Sequence, residues 1–98
     1  MWLLQHSAPD TDPTVTFRLS PGAIKTIGRS SSAELILDAA LVSRLHCRLE
    51  AHDETLEVVD LDSTNGVFVN GERVARAHMI PGDRLKVGRV ELVVGRSA

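Results

Sequence analysis

Apolar residues in this chain come in runs too short and too often broken for helices, and that pattern narrows the possible folds more than anything else in the sequence. Trp2-Leu3-Leu4 opens as a strand. Val15, Phe17 and Leu19 alternate with Thr16, Arg18 and Ser20, the period of two expected of a half-buried strand. Ile24 and Ile27 sit on the next short strand, which ends at Gly28, and Leu35-Ile36-Leu37 is an apolar run of strand length. His46 to Ala51 alternates imperfectly, and Thr55 to Leu61 carries Leu56, Val58 and Val59. Val67-Phe68-Val69 is closed by Asn70-Gly71, the strongest two-residue hairpin signal. Leu85 and Val87, then Val90, Leu92, Val93 and Val94, complete the set around Gly88-Arg89. Ser20-Pro21-Gly22 and Pro81-Gly82-Asp83 read as turns, and Ser7 to Pro13 as a polar, proline-marked loop. Asp38 to Val42 has some helical character but is too short to stand alone. Together these signals predict an all-β sandwich.

Length and charge then restrict function. The 98 residues amount to one domain, 1–98, with its core over about residues 2–95. A two-lobed enzyme with a cleft between lobes is excluded by size. Eleven Lys plus Arg against thirteen Asp plus Glu give a net charge of −2. A chain so near neutrality is a poor candidate to grip nucleic acid or anionic lipid, where a basic stripe is expected, so neither is expected as a partner. No window approaches the roughly 20 apolar residues of a membrane span. The opening Met1 to His6 lacks the positive region and longer apolar stretch of a signal peptide. Cys47 has no second cysteine to pair with, which fits a reducing compartment: cytoplasmic, or nuclear if the source is eukaryotic. Its place on an alternating strand suits a small buried hydrophobe.

Three segments depart from ordinary strand-and-turn composition: Gly28-Arg29-Ser30, Ser43-Arg44-Leu45-His46, and Asp62-Ser63-Thr64-Asn65-Gly66. Each lies at a strand end or in the loop beyond it, where a sandwich displays binding residues. Arg29 and Arg44 offer guanidinium forks, Ser43 and Thr64 hydroxyls, and Asn65 an amide that both donates and accepts. Two cations with neutral donors suit a tetrahedral dianion, and an amide suits a peptide backbone. The set holds no carboxylate pair, no Ser–His–Asp arrangement and no cluster of metal ligands, so neither cofactor nor metal nor catalysis is expected. Among residues with plainer readings, His46 is expected to be structural, Asn70-Gly71 a turn, Ser30 to Ser32 a loop, and Asp60 and Asp62 turn formers.

In order and spacing, Gly28-Arg29, Ser43-Arg44-Leu45-His46 and Ser63-Thr64-Asn65-Gly66-Val67-Phe68-Val69-Asn70-Gly71 resemble the pattern of the forkhead-associated (FHA) domain. The likeness runs from Trp2 to Val94. It implies a sandwich of about eleven short, mostly antiparallel strands that binds phosphothreonine peptides through the loops at one end. It implies that Arg29 contacts the phosphate, that Ser43 and Thr64 donate hydroxyl hydrogen bonds, and that Asn65 bonds the peptide main chain. Arg44, at a more variable position, would add a phosphate or backbone contact. Gly28, His46 and Gly66 would support the site. The partner would be a phosphothreonine-containing kinase or kinase substrate, and the domain itself a monomer. A phosphorylated Thr11 could also serve for self-recognition. Selectivity contacts are expected from loops at Leu41-Val42 and Arg76 to Met79. The competing expectation is a scaffold or self-association module that uses the same loops without phosphate.

Overall fold

The computed structural model describes residues 1–6 and 15–97. The Ser7–Pro13 loop, and Thr11 within it, lie outside the described residues. Eleven strands form two packed sheets, and no helix occurs among the described residues. The strands are β1 (Trp2–His6), β2 (Thr16–Leu19), β3 (Ile24–Gly28), β4 (Leu35–Ile36), β5 (Cys47–Ala51), β6 (Leu56–Asp60), β7 (Val67–Val69), β8 (Glu72–Val74), β9 (Arg76–Met79), β10 (Arg84–Val87) and β11 (Val90–Arg96). One sheet runs β2-β1-β11-β10-β7-β8 and the other β4-β3-β5-β6-β9. All pairs are antiparallel except β3 with β4.

Side-chain alternation decides which face of each strand is buried. In the first sheet Leu4 lies opposite both Phe17 and Val94, and all three are buried. In the second, Leu49 lies opposite Val58, likewise buried. Trp2, Ile27, Leu56, Met79, Leu85 and Leu92 fill the space between the sheets, each fully buried.

Turn chemistry closes the hairpins as the sequence predicts. Asn70 and Gly71 take φ of 52° and 84°, the doubly left-handed geometry of a type I′ turn, and bring Val69 opposite Glu72. The Asn70 amide donates to Asp83 Oδ1 at 3.2 Å and accepts from the Arg84 N–H at 2.9 Å, which ties this hairpin to the Pro81-Gly82-Asp83 turn.

Asp38 to Val42, read as too short for a helix, forms none: the chain turns at Ala40-Leu41, with Leu41 in the left-handed region at φ 67°. One expectation is corrected: Arg76 to Met79 is not a loop but β9, the edge strand paired along β6. Its polar, alternating sequence suits an edge whose outer face meets water.

Cys47 is fully buried, as expected of a small hydrophobe. Burial, with a smaller contribution from the Asp60 charge, pushes its thiol up to about 12. The unfolded thiol ionises near 8.5, so the unfolded state loses the proton first. The thiol's contribution to stability is therefore complete below about pH 8.5 and declines as pH rises from there toward 12. Native protein at pH 8 is expected to resist a thiol-specific chromogenic disulfide reagent and to react fully once unfolded in denaturant. Rapid reaction of the native state would contradict this burial.

Candidate functional site

One rung of the second sheet brings the three unusual segments together. Ile27 pairs with Cys47, and Cys47 with Asp60. Segments 29–34, 37–46 and 61–66 therefore all emerge from the same end of β3, β5 and β6.

Backbone bonds join the first two segments. The Arg29 N–H donates to Ser43 O at 2.9 Å, and the Ser30 N–H to Arg44 O at 3.1 Å. This approach requires glycine at 28, because a Cβ there would lie 2.7 Å from the Arg44 carbonyl carbon and closer still to its oxygen. His46 joins the second segment to the third. It is fully buried, its Nδ1 accepts from the Ser43 N–H at 3.0 Å, and its Nε2 donates to Gly66 O at 2.8 Å. A backbone N–H can only donate and a carbonyl can only accept, so the ring carries its proton on Nε2. Both ring nitrogens are committed, which makes His46 a brace and leaves it unable to take a proton from Ser43.

Gly66, buried with φ 85°, makes the turn after Asn65. Its N–H donates to Ser63 Oγ at 3.0 Å, while the Ser63 N–H donates to Asp60 Oδ1 at 3.1 Å. Asp60 is thus the turn former expected of it, and Asp62 holds a positive φ of 61°.

The would-be contact groups face outward from this frame. Arg29 is exposed, and its Nε donates to Val42 O at 3.1 Å. That bond fixes the plane of the guanidinium and leaves its two terminal nitrogens for a ligand. Ser43 Oγ accepts from the Thr64 N–H at 3.2 Å, so its hydroxyl proton remains to be donated. Asn65 is anchored by an Nδ2–H bond to Leu41 O at 3.1 Å, and its Oδ1 accepts no bond from the described residues. Arg29, Ser43 and Thr64 line both of two open clefts. The first, about 480 Å³, continues past Asn65, Leu41 and Asp38. The second, about 570 Å³, continues past Arg44, Leu45 and Asp62. Lys25, Arg48, Arg76 and Arg84 are paired with carboxylates, whereas Arg29 and Arg44 form no ion pair among the described residues. Asp38 and Asp62 line the two clefts, but among the described residues neither is within ion-pair distance of Arg29 or Arg44.

All five expected contact residues come together, with their three supports beneath them. Sequence reasoning missed the second tier. Val42 and Leu41 act through their carbonyls, which no side-chain motif could signal. Gly88, at φ 61°, lets the β10–β11 turn pack against this loop: a Cβ there would lie 2.9 Å from both Ala40 O and Val42 Cγ2.

Residues 25–88 match the family model for the FHA domain. The chain is 38% identical over 79 residues to the ABC transporter ATP-binding/permease protein Rv1747 of Mycobacterium tuberculosis, covering 81% of this chain and 9% of that protein. It is 37% identical over 71 residues to the glycogen accumulation regulator GarA of the same species, covering 72% and 44%. It thus spans less than half the length of these curated relatives. A solved structure, from a structural and functional analysis of phosphothreonine-dependent FHA domain interactions, superposes with a TM-score of 0.86 at 30% identity, covering 99% of this chain and 97% of that one. By motif order, strand topology and family match alike, the chain belongs to the FHA domain family.

Proposed function

We propose that this chain is a phosphothreonine-dependent interaction module that binds phosphorylated protein segments and performs no catalysis. The observation that carries the reading is the shared wall of the two clefts, where Arg29, Ser43 and Thr64 meet and Arg29 forms no ion pair among the described residues, although Asp38 and Asp62 line the clefts further out. A phosphothreonine brings a charge of about −1.5 to −2 and three acceptor oxygens. The Arg29 fork and the Ser43 and Thr64 hydroxyls take the phosphate, Arg44 adds a contact from the second cleft, and Asn65 takes the peptide main chain. Hydrogen bonds to charged groups contribute roughly 1.5–3 kcal/mol each. Three or four of them, less the cost of ordering a flexible peptide, leave about −8 kcal/mol, which is micromolar binding. Reversible signalling by a kinase or its substrate suits that strength. His46, the histidine that supports Ser43 through its backbone N–H, has both ring nitrogens occupied by backbone groups, which supports binding without chemistry.

Calorimetric titration of a phosphothreonine peptide library beside its unphosphorylated twin tests the proposal. Micromolar binding confined to phosphorylated members is expected. Equal binding of both sets would overturn it in favour of a phosphate-independent scaffold.

A further inference from the structure

Away from the site, on the outer face of the second sheet, the fold gathers three metal-ligating side chains that lie far apart in the sequence. Glu57 on β6 is directly opposite His78 on β9, and His52 follows the end of β5. Ligand atoms of all three lie within 4.8 Å of one another. His52 Nε2 is 2.9 Å from Glu57 Oε1, and His78 Nε2 is 3.7 Å from Glu57 Oε2. We propose that His52, Glu57 and His78 form a solvent-facing site for a divalent transition-metal ion of the Zn²⁺ type.

The donor set suits such an ion. Two imidazoles and a carboxylate, with a water or other ligand in the fourth position, form a tetrahedral site that stays open. Bonds of about 2.0–2.1 Å to a tetrahedral centre put ligand atoms roughly 3.3–3.5 Å apart, which falls between the two observed spacings. Glu57 is buried while both histidines are about half exposed, so a carboxylate at the base carries two rings open to solvent.

Neighbouring groups orient the ligands. His78 Nδ1 is 3.0 Å from Thr55 Oγ1; with Nδ1–H donating there, Nε2 presents its lone pair toward Glu57. The His52 carbonyl accepts from the Trp2 indole N–H at 2.9 Å, and the Asp53 carbonyl accepts from Arg96, so the backbone carrying His52 is held from two sides. The Nε2 proton that bridges His52 to Glu57 is the one the metal displaces to solvent. Arg76, 3.1 Å from Glu57 Oε2, is a built-in competitor for the same carboxylate.

Zinc titration of the untagged, chelator-stripped full chain, followed by calorimetry and by imidazole NMR, tests the proposal. One ion per chain is expected, with shifts at His52 and His78 and none at His6 or His46. His52→Ala and His78→Ala should each weaken binding at least tenfold, and Arg76→Gln should tighten it several-fold by removing the competing cation. Circular dichroism checks the fold of each variant, and His78→Gln replaces His78→Ala if the latter does not fold. Absence of binding at several-fold molar excess, undiminished binding by both folded histidine variants, or shifts centred on His6 would overturn the site.

Discussion

Arg29→Ala lowers affinity for a phosphothreonine peptide by about ten- to a hundredfold, the loss expected when bonds worth roughly 1.5–3 kcal/mol to a charged ligand disappear. The same change leaves the fold almost intact. The side chain is exposed, and its only side-chain bond among the described residues is the 3.1 Å contact from Nε to Val42 O, worth about 1 kcal/mol. Binding and stability therefore separate at this position. Arg29→Lys retains the charge but loses both the fork and the Nε tether, and it should fall between the wild type and alanine. Ser43→Ala removes one hydroxyl donor and strands the Thr64 N–H at a solvent-exposed position, so its effect on affinity should be smaller. Calorimetry with a single phosphopeptide ranks the variants as wild type, Ser43→Ala, Arg29→Ala in falling affinity. An Arg29→Ala variant that binds like the wild type would remove Arg29 from the phosphate contact and with it the proposed site.

The legible parts of this fold were those written in local chemistry. The alternation of Val15, Phe17 and Leu19 gave a strand whose Phe17 and Leu19 are buried, because a period of two sorts side chains to one face regardless of the partner strand. Asn70-Gly71 gave its turn because few other residue pairs accept two positive φ values in succession. The polar segments after β3, before β5 and after β6 were recognisable as candidates one by one. Their convergence was legible only through the family resemblance, because it depends on the rung Ile27–Cys47–Asp60, a long-range register that no local pattern encodes. Arg76 to Met79 was misread for the same reason: an edge strand carries polar residues like those of a loop, and only its pairing with β6 distinguishes them. Asp38 to Val42, too short for a helix, instead gives up its Leu41 and Val42 carbonyls to Asn65 and Arg29, and Leu41 adopts a left-handed turn. The grouping of His52, Glu57 and His78 was equally invisible, since it too is created by strand pairing.

Gly28→Ala is expected to be the most damaging single-methyl change in the chain, for a reason distinct from backbone freedom. Gly28 does not need a positive φ; it needs an empty space where a Cβ would be. That Cβ would meet the Arg44 carbonyl, with the Leu45 Cα at 3.0 Å, and all of these are backbone atoms that cannot rotate aside. Relief requires segment 43–46 to withdraw from β3. Withdrawal stretches the Arg29–Ser43 and Ser30–Arg44 backbone bonds and the 2.8 Å bond from the His46 N–H to Ile27 O. Overpacking costs about 1–3 kcal/mol, and each weakened bond adds about 1 kcal/mol, so a loss of roughly 3 kcal/mol or more follows. For a domain of this size that lowers the melting midpoint by about 12 °C or more. Gly71→Ala is the matching control. A Cβ at 71 meets nothing within 4 Å, and the cost is only that of placing an L-residue at φ 84°, about 1–2 kcal/mol. The two variants also differ in binding. Segment 43–46 carries Ser43, Arg44 and the His46 brace, so Gly28→Ala should weaken phosphopeptide binding even well below its melting point, while Gly71→Ala, at the β7–β8 turn, should not. Thermal melts and calorimetry of both proteins decide the matter. A Gly28→Ala variant no less stable than Gly71→Ala and equal to it in affinity would mean that the backbone of the second segment does not lean on β3, and that something other than this contact holds Ser43 beside Arg29.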